Sequence, residues 1–351
     1  MRFKMENQSK HSINLQEILC ELPRNMAIID SFSKAHSIIC TGKYKKVLCS
    51  VSGGSDSDLI LDIMHRLDSD IIIDYAYFDT GLEYTATKEH ISSLEQKYGI
   101  EIRRVKAQCP VPLAIKQTGQ PFLSKQVSEY TRRLQNHGFK FEDKPFEELC
   151  KEYPSCVSAL KWWCNYKDNG VPSMFEIRRN KWLKDFMVEN PPTFQISPKC
   201  CDLAKKNTMH SIENNYDLIV IGVRKSEGGT RAGHNTCVTF GKTDIYRPIF
   251  WFVQSDKEEY ERFANIEHSK CYTEYGLRRT GCAGCPFGRN FEYELEVLQK
   301  YEPVLYKAAC NIFKDSYEYT RKYREFVKQK ELEVKKQKIG YQTTIFDFMR
   351  D

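Results

Sequence analysis

The chain has 351 residues, 41% hydrophobic and 28% charged, with 53 Lys and Arg against 47 Asp and Glu, for a formal net charge of +6. That length suits one large α/β domain with an appended piece, and the composition is that of an ordinary soluble protein. No apolar run approaches the roughly 20 residues of a membrane span, and the polar stretch Met1–Lys10 leads into no signal-like apolar segment, so no membrane partner and a cytoplasmic location are expected. The mild positive charge admits a nucleic-acid partner without requiring one. Fourteen cysteines in a long chain without a signal argue against a secreted disulfide framework and for metal ligation in a reducing compartment.

Residues 12–40 carry helical spacing and form an N-terminal helical segment, 1–42. Val47-Leu48-Cys49-Ser50-Val51 reads as a first strand, ending abruptly in Ser52-Gly53-Gly54, and Asp56–Leu67 as a helix. Ile71–Phe78 is a second buried strand, Glu83–Tyr98 a helix and Ile100–Val105 a third strand. Strand–helix alternation of this kind predicts an α/β fold, a parallel sheet with helices on both faces. The alternation breaks between about 109 and 198, an aromatic-rich insertion with Trp162-Trp163, and resumes with a fourth strand at Asp217–Gly222. Asp244–Phe252 reads as a fifth, edge element because Pro248 opposes a central place. The nucleotide-binding domain is thus expected over 43–254 and a helical C-terminal region over 255–351, with Lys314–Lys338 a long helix closed by Gly340.

Ser52-Gly53-Gly54-Ser55-Asp56-Ser57 sits where the first strand hands over to a helix, the place where open α/β sheets bind ligands. Glycines let the backbone approach an anion closely. A helix N-terminus offers N–H groups and a positive dipole end to phosphate. Asp56 caps the helix or helps hold Mg²⁺. No Gly-Lys-Ser/Thr follows, so the loop is not a Walker motif. A plain tight turn with a good N-cap is the competing explanation.

Ser-Gly-Gly-x-Asp-Ser after a first strand resembles the PP-loop of the ATP pyrophosphatases, the adenine nucleotide α-hydrolase-like superfamily. Phe78-Asp79-Thr80-Gly81-Leu82-Glu83 resembles the Asp-Thr-Gly segment of the phosphoadenylyl- and adenylyl-sulfate reductases within it. Gly222-Val223-Arg224-Lys225-Ser226-Glu227, with Thr230-Arg231-Ala232, resembles their Gly-x-Arg-x-x-Glu…Arg segment. The likeness runs discontinuously from about Lys45 to Gly288. It implies ATP bound by Ser52, Gly53, Gly54, Ser55, Asp56, Ser57, Asp79 and Gly81. It also implies Asp56 and Asp79 organising Mg²⁺, and Arg224 and Arg231 as the catalytic cations, their paired N–H donors suited to phosphate oxygens.

Cys200-Cys201 is followed, after 80 intervening residues, by Cys282-Ala283-Gly284-Cys285. Four thiolates suit a [4Fe–4S] cluster or a structural zinc, and a Cys-x-x-Cys turn alone leaves zinc, redox and iron–sulfur readings open. The adjacent pair departs from common zinc spacing, and the whole pattern resembles the cluster motif of iron–sulfur adenylyl-sulfate reductases, which implies [4Fe–4S] on Cys200, Cys201, Cys282 and Cys285. The resemblance fails at the tail. Sulfonucleotide reductases attack sulfate with a C-terminal cysteine, whereas no cysteine follows Cys310 here, and no other side chain replaces a thiolate nucleophile.

An intact loop, a cluster motif and no tail nucleophile fit an ATP pyrophosphatase that cleaves ATP to AMP and pyrophosphate and activates an acceptor, expected to be nucleic acid, for sulfur insertion. The parts match the sulfur-inserting proteins of DNA phosphorothioation and, more distantly, tRNA thiolases. A cysteine desulfurase is the implied sulfur donor. The competing readings are a sulfonucleotide reductase of sulfate assimilation and a non-catalytic nucleotide- and cluster-binding subunit. Tyr317–Lys338 holds eight Lys and Arg and four Asp and Glu with Tyr317, Tyr319, Tyr323 and Phe326 interleaved. It reads either as a nucleic-acid-facing helix or as an amphipathic helix with its aromatics packed inward. Gln342-x-x-Ile345-Phe346-Asp347-Phe348 resembles sliding-clamp-binding peptides.

Overall fold

The computed structural model describes residues 15–40, 42–67, 71–167, 170, 176–288 and 290–348, with the side chains of 229–230 and 337–348 outside the description. Its elements run α1 (Leu15–Glu21), α2 (Met26–Cys40), β1 (Lys46–Ser50), α3 (Ser55–Arg66), β2 (Ile72–Asp79), α4 (Thr85–Tyr98) and β3 (Ile102–Lys106). There follow α5 (Val111–Thr118), α6 (Lys125–Asn136), α7 (Phe146–Glu152), α8 (Val157–Trp163), α9 (Leu183–Glu189), α10 (Lys199–Cys201) and α11 (Asn207–Glu213). The chain closes with β4 (Leu218–Val220), β5 (Val238–Thr239), β6 (Asp244–Tyr246), α12 (Gln254–Ala264), α13 (Lys270–Thr273), α14 (Phe291–Tyr301), α15 (Pro303–Ile312) and α16 (Lys314–Phe348).

The chain divides into two compact units, one of residues 1–108 and 205–282, the other of 109–204 and 283–351. This partition joins the 109–198 insertion to the C-terminal helices. The first unit carries a six-stranded sheet in the order β3-β2-β1-β4-β6-β5, parallel except for the antiparallel β5–β6 pair. The α/β class is as expected, and both faces are covered. On one face Val47 and Cys49 of β1 and Tyr75 and Tyr77 of β2 join the cluster of Phe32, Leu59, Ile63, Leu94 and Tyr260 from the surrounding helices. On the other, Leu48 and Ala76 meet Tyr216, Ile219 and the α11 side chains Met209 and Ile212. The period-two alternation along each strand sends neighbours to opposite faces, which is why strands buried on both sides read as continuous apolar runs. Cys49, fully buried, is such a core residue, and burial pushes its thiol pKa far up.

Two sequence expectations are corrected. The Asp244–Phe252 segment is not the sheet edge: its strand is only Asp244–Tyr246 and lies between β4 and the two-residue edge strand β5. Pro248 falls beyond the ladder, so its missing N–H removes no strand bond. Gly340 does not close the last helix, which continues to Phe348; a single glycine weakens a helix by only about 1 kcal/mol.

The second unit is helical around an aromatic core of Phe122, Phe139, Trp162, Trp163 and Phe186. Tyr319 and Tyr323 of α16 enter that core, and Phe326 packs against it. The aromatics of the basic helix are therefore core-facing. Trp163 is fully buried and its indole N–H donates to Glu142 O at 2.9 Å. The clamp-like peptide Gln342–Phe348 continues α16 as backbone, and its side chains lie outside the described residues. Among the described residues no helix is long and apolar enough to cross a membrane. Trp163→Ala is expected to destabilise the second unit by about 3–5 kcal/mol, read as a fall in the denaturation midpoint of the full chain; an unchanged midpoint would mean the indole is not part of the core.

Candidate functional site

The loop at the carboxyl end of β1 is held by its own serines. Ser57 Oγ donates to Gly54 O at 2.7 Å and accepts the Ser52 N–H at 3.2 Å, while Ser52 Oγ accepts the Gly54 N–H at 3.3 Å. Gly53 sits at φ +69°, and a Cβ there would fall 2.7 Å from Thr87 Cγ2, so conformation and space both call for glycine. Gly54, in extended conformation, caps α3. The Ser55 N–H at the helix start donates to the Tyr272 hydroxyl at 3.3 Å, and that phenol lies 3.2 Å from Thr280 Oγ1. Side-chain hydroxyls of the 269–282 segment thus sit against the loop's helix end.

Asp56 projects from the first turn of α3 and is bound by two cations. Arg224 Nε donates to Oδ2 at 3.0 Å and Lys257 Nζ to Oδ1 at 2.7 Å. Lys257 also donates to Ser55 Oγ and is buried, its side chain 8% exposed. It reaches the loop from the first turns of α12. Arg224 arrives from the end of β4 because Gly222 lies against the loop backbone: a Cβ on Gly222 would meet Asp56 O at 2.7 Å and Asp56 C at 2.8 Å. The structure therefore brings together Ser52–Ser57 and Arg224 of the expected site. Arg231 instead pairs with Glu227, four residues upstream, at 3.0 Å.

Asp79 ends β2. Its Oδ1 accepts the Gly81 N–H at 2.9 Å and its Oδ2 lies 3.4 Å from Lys88 Nζ. Burial disfavours its charge, but hydrogen bonds from Glu83 and Gly81 and the Lys88 ammonium outweigh that and hold its pKa below the ordinary carboxylate value. Burial and the adjacent Asp79 raise the pKa of Glu83. The pair thus divides into an ionised Asp79 and a more readily protonated Glu83. Glu83 also closes the turn: Oε1 accepts the Thr80 N–H at 2.9 Å and the Thr80 hydroxyl, and Oε2 accepts the Leu82 N–H at 3.1 Å.

Of the four cysteines, Cys282 lies beside this turn, its Sγ 3.6 Å from Thr80 Oγ1. Cys200 is buried and Cys201 half-buried in α10, which runs straight into a π turn at Asp202–Lys206, an irregularity common at functional sites. Cys285, half-buried, turns back on itself through a Gly288 N–H to Cys285 O bond of 2.9 Å. The preceding Gly284 is at φ +64° and a Cβ there would meet the Tyr317 hydroxyl at 2.8 Å. Among the described residues, no group of three or more His, Cys, Asp or Glu side chains is gathered as for a metal ion. Four thiols of this kind have the donor chemistry of an iron–sulfur cluster. For Mg²⁺, both Asp56 oxygens are already engaged by cations, so Asp56 in this arrangement positions Lys257 and Arg224.

Lys257, Tyr272 and Thr280 carry no motif signal, and Lys257 reads in the sequence as one charge among many. Glu83 stands in the Asp-Thr-Gly segment, but nothing in the sequence announces its bonds to Thr80 and Leu82.

No protein-family model matches the chain. An uncharacterized protein of Methanocaldococcus jannaschii is 32% identical over 181 residues, 49% of this chain and 35% of that protein. The chain therefore spans about a third of the length of that relative. Among solved structures, phosphoadenylyl-sulfate reductase from Candida auris aligns at 10% identity and a TM-score of 0.39, over 80% of this chain and 98% of that one. The U34-tRNA thiolase NcsA of Methanococcus maripaludis, solved with its [4Fe-4S] cluster, aligns at 13% and 0.34 over 84% and 78%. NH3-dependent NAD synthetase of Campylobacter jejuni aligns at 13% and 0.32 over 88% and 96%. Likenesses this weak bear on neither substrate nor mechanism.

Gly222→Ala is expected to push the β4 end off Asp56, costing about 1–3 kcal/mol; the denaturation midpoint of the full chain checks it, and an unchanged midpoint would mean that the close approach of Gly222 to Asp56 is not required.

Proposed function

We propose that the chain is a PP-loop-type ATP pyrophosphatase: it binds ATP at Ser52–Ser57, cleaves it to AMP and pyrophosphate, and thereby activates an acceptor for sulfur insertion. The observation that carries this reading is the pairing of a self-bonded Gly-Gly loop at a helix start with two cations, Arg224 and Lys257, fixed on it by one carboxylate. A helix N-terminus with two adjacent positive side chains suits a polyphosphate. In the reaction an acceptor oxygen bonds to the α-phosphorus, the bond to the β-phosphate oxygen breaks, and pyrophosphate leaves with the electron pair. Lys257 and Arg224 are placed to neutralise the charge that gathers on the departing pyrophosphate. A sulfur nucleophile then bonds to the acceptor atom that carries the adenylated oxygen, the bond from that atom to the oxygen breaks, and AMP leaves with the oxygen and the electron pair. Mg²⁺ enters with the nucleotide.

The acceptor is taken to be nucleic acid and the sulfur donor a cysteine desulfurase, on the motif resemblance alone. Cys200, Cys201, Cys282 and Cys285 are the residues that would hold a [4Fe–4S] cluster, which when bound supplies iron that can ligate or pass on sulfur. The intact Gly-Gly loop favours this reading over sulfate reduction. The C-terminal Gln342–Phe348 remains a candidate sliding-clamp peptide.

The anaerobically purified chain is expected to release AMP and pyrophosphate in equal amounts from MgATP, stimulated by an acceptor nucleic acid. Lys257→Met is expected to lower the rate by about 10²–10³-fold. Release of sulfite from adenylyl or phosphoadenylyl sulfate without pyrophosphate from ATP would replace this reading with sulfonucleotide reduction. In parallel, iron analysis is expected to find about four irons per chain and a loss of most of them in Cys200→Ser; a Cys200→Ser protein with full iron would break the cluster assignment.

A further inference from the structure

Beneath the loop lies a row of charges that no motif announces. Asp58, one residue beyond the loop on α3, is wholly buried. Its Oδ2 lies 2.8 Å from His268 Nδ1, and the other ring nitrogen, Nε2, is 2.9 Å from Glu261 Oε1. Glu261 Oε1 is in turn 3.6 Å from the buried Lys257 Nζ, which holds Asp56 and Ser55. His90 on α4 brings Nε2 to 3.1 Å from the same Asp58 oxygen, yet Nε2 and Asp58 Oδ1 each lack a hydrogen-bond partner. The tilted ring of Tyr272 lies with its centroid 5.8 Å from that of His268. The charges therefore alternate: Asp56, Lys257, Glu261, His268, Asp58.

An imidazole set between two carboxylates must donate from both nitrogens, because ionised carboxylates only accept. The geometry alone thus calls for the imidazolium. A buried aspartate without a cation would be strongly destabilising, so Asp58 and His268 depend on each other. Glu261 is shared by two cations, and what His268 takes from it, Lys257 does not.

We propose that His268 is a positioning residue for the phosphate site: by engaging Glu261 as an imidazolium anchored on Asp58, it leaves Lys257 directed at the loop. With His268 neutral, Glu261 has one cation left and draws the Lys257 ammonium away from Ser55 and Asp56. The proposal rests on the loop being a polyphosphate site, as argued above.

Burial alone would lower the His268 pKa, but the hydrogen bonds and charges of Asp58 and Glu261 prevail and lift it to about 9. A raised folded-state value means the bridge contributes its full stability below the unfolded histidine value of about 6.5. That contribution is lost as pH rises through about 9.

The test is calorimetric binding of magnesium pyrophosphate to the full chain between pH 7 and 10. His268→Gln is expected to weaken binding about tenfold at pH 7 and to flatten the affinity loss that the native chain shows towards pH 9–10. His268→Arg, which restores a two-pronged cation, is expected to recover most of the affinity. In a Glu261→Gln background, His268→Gln is expected to cost nothing further. Should His268→Gln fail to fold, the Asp58→Asn, His268→Gln double variant removes the unpaired buried charge and carries the same measurement. Native binding with His268→Gln equally tight at every pH would overturn the positioning role and leave the proposed function standing. Absence of pyrophosphate binding by the native chain would instead overturn the proposed function on which it rests.

Discussion

The first unit is organised around one constraint: three carboxylates on α3 that must be matched. Asp56, Asp58 and Asp62 succeed one another along the helix, and Asp58 and Asp62 are buried. Each finds a partner in or just after α12. Lys257 takes Asp56, His268 takes Asp58, and the Tyr260 hydroxyl donates to Asp62 at 2.6 Å, beside Arg66 at 2.7 Å. Apolar packing of Phe32 on Tyr260, ring centroids 5.8 Å apart, fills the space around these pairs. Because charge burial is costly unless geometry is good, this row specifies how α12 lies on α3 more sharply than apolar contact would. That placement delivers Lys257 to the loop.

The same logic explains the glycines at the site. Gly53 gives way to Thr87 on α4, and Gly222 to the Asp56 backbone. One fixes the loop against the helix after β2, the other fixes Arg224 against the helix after β1. Ser52 and Ser57 bond to the loop itself and Ser55 Oγ accepts from Lys257, so the helix start, Lys257 and Arg224 make up the positive side of the loop. The polar partner presently on the Ser55 N–H is the Tyr272 hydroxyl, a neutral oxygen where a phosphate oxygen would be bound more strongly.

Much of this was legible in the sequence where the signal is local. The apolar runs of β1 to β4, the turn after β1 and the helix after it follow from period and glycine placement, and Arg224 was found because it lies in a contiguous segment. Pro248 does not mark Asp244–Phe252 as an edge, because the strand ends at Tyr246, two residues before it. Gly340 is too weak a breaker to end the last helix on its own. Lys257, His268 and Asp58 were missed for a different reason: their meaning is a long-range pairing across roughly 200 residues, which no single-sequence period encodes. The interleaved aromatics of the last helix allow two readings in the sequence, and the packing of Tyr319 and Tyr323 into the second unit's core is the amphipathic one.

The most direct test of the central claim is a crystal structure of the chain with a non-hydrolysable ATP analogue and magnesium. The β- and γ-phosphates are expected on the Ser55 helix start, with Lys257 Nζ and the Arg224 guanidinium within hydrogen-bonding distance of their oxygens and the Tyr272 hydroxyl displaced. Phosphates bound elsewhere, with Lys257 still closed on Asp56 and Ser55, would contradict it.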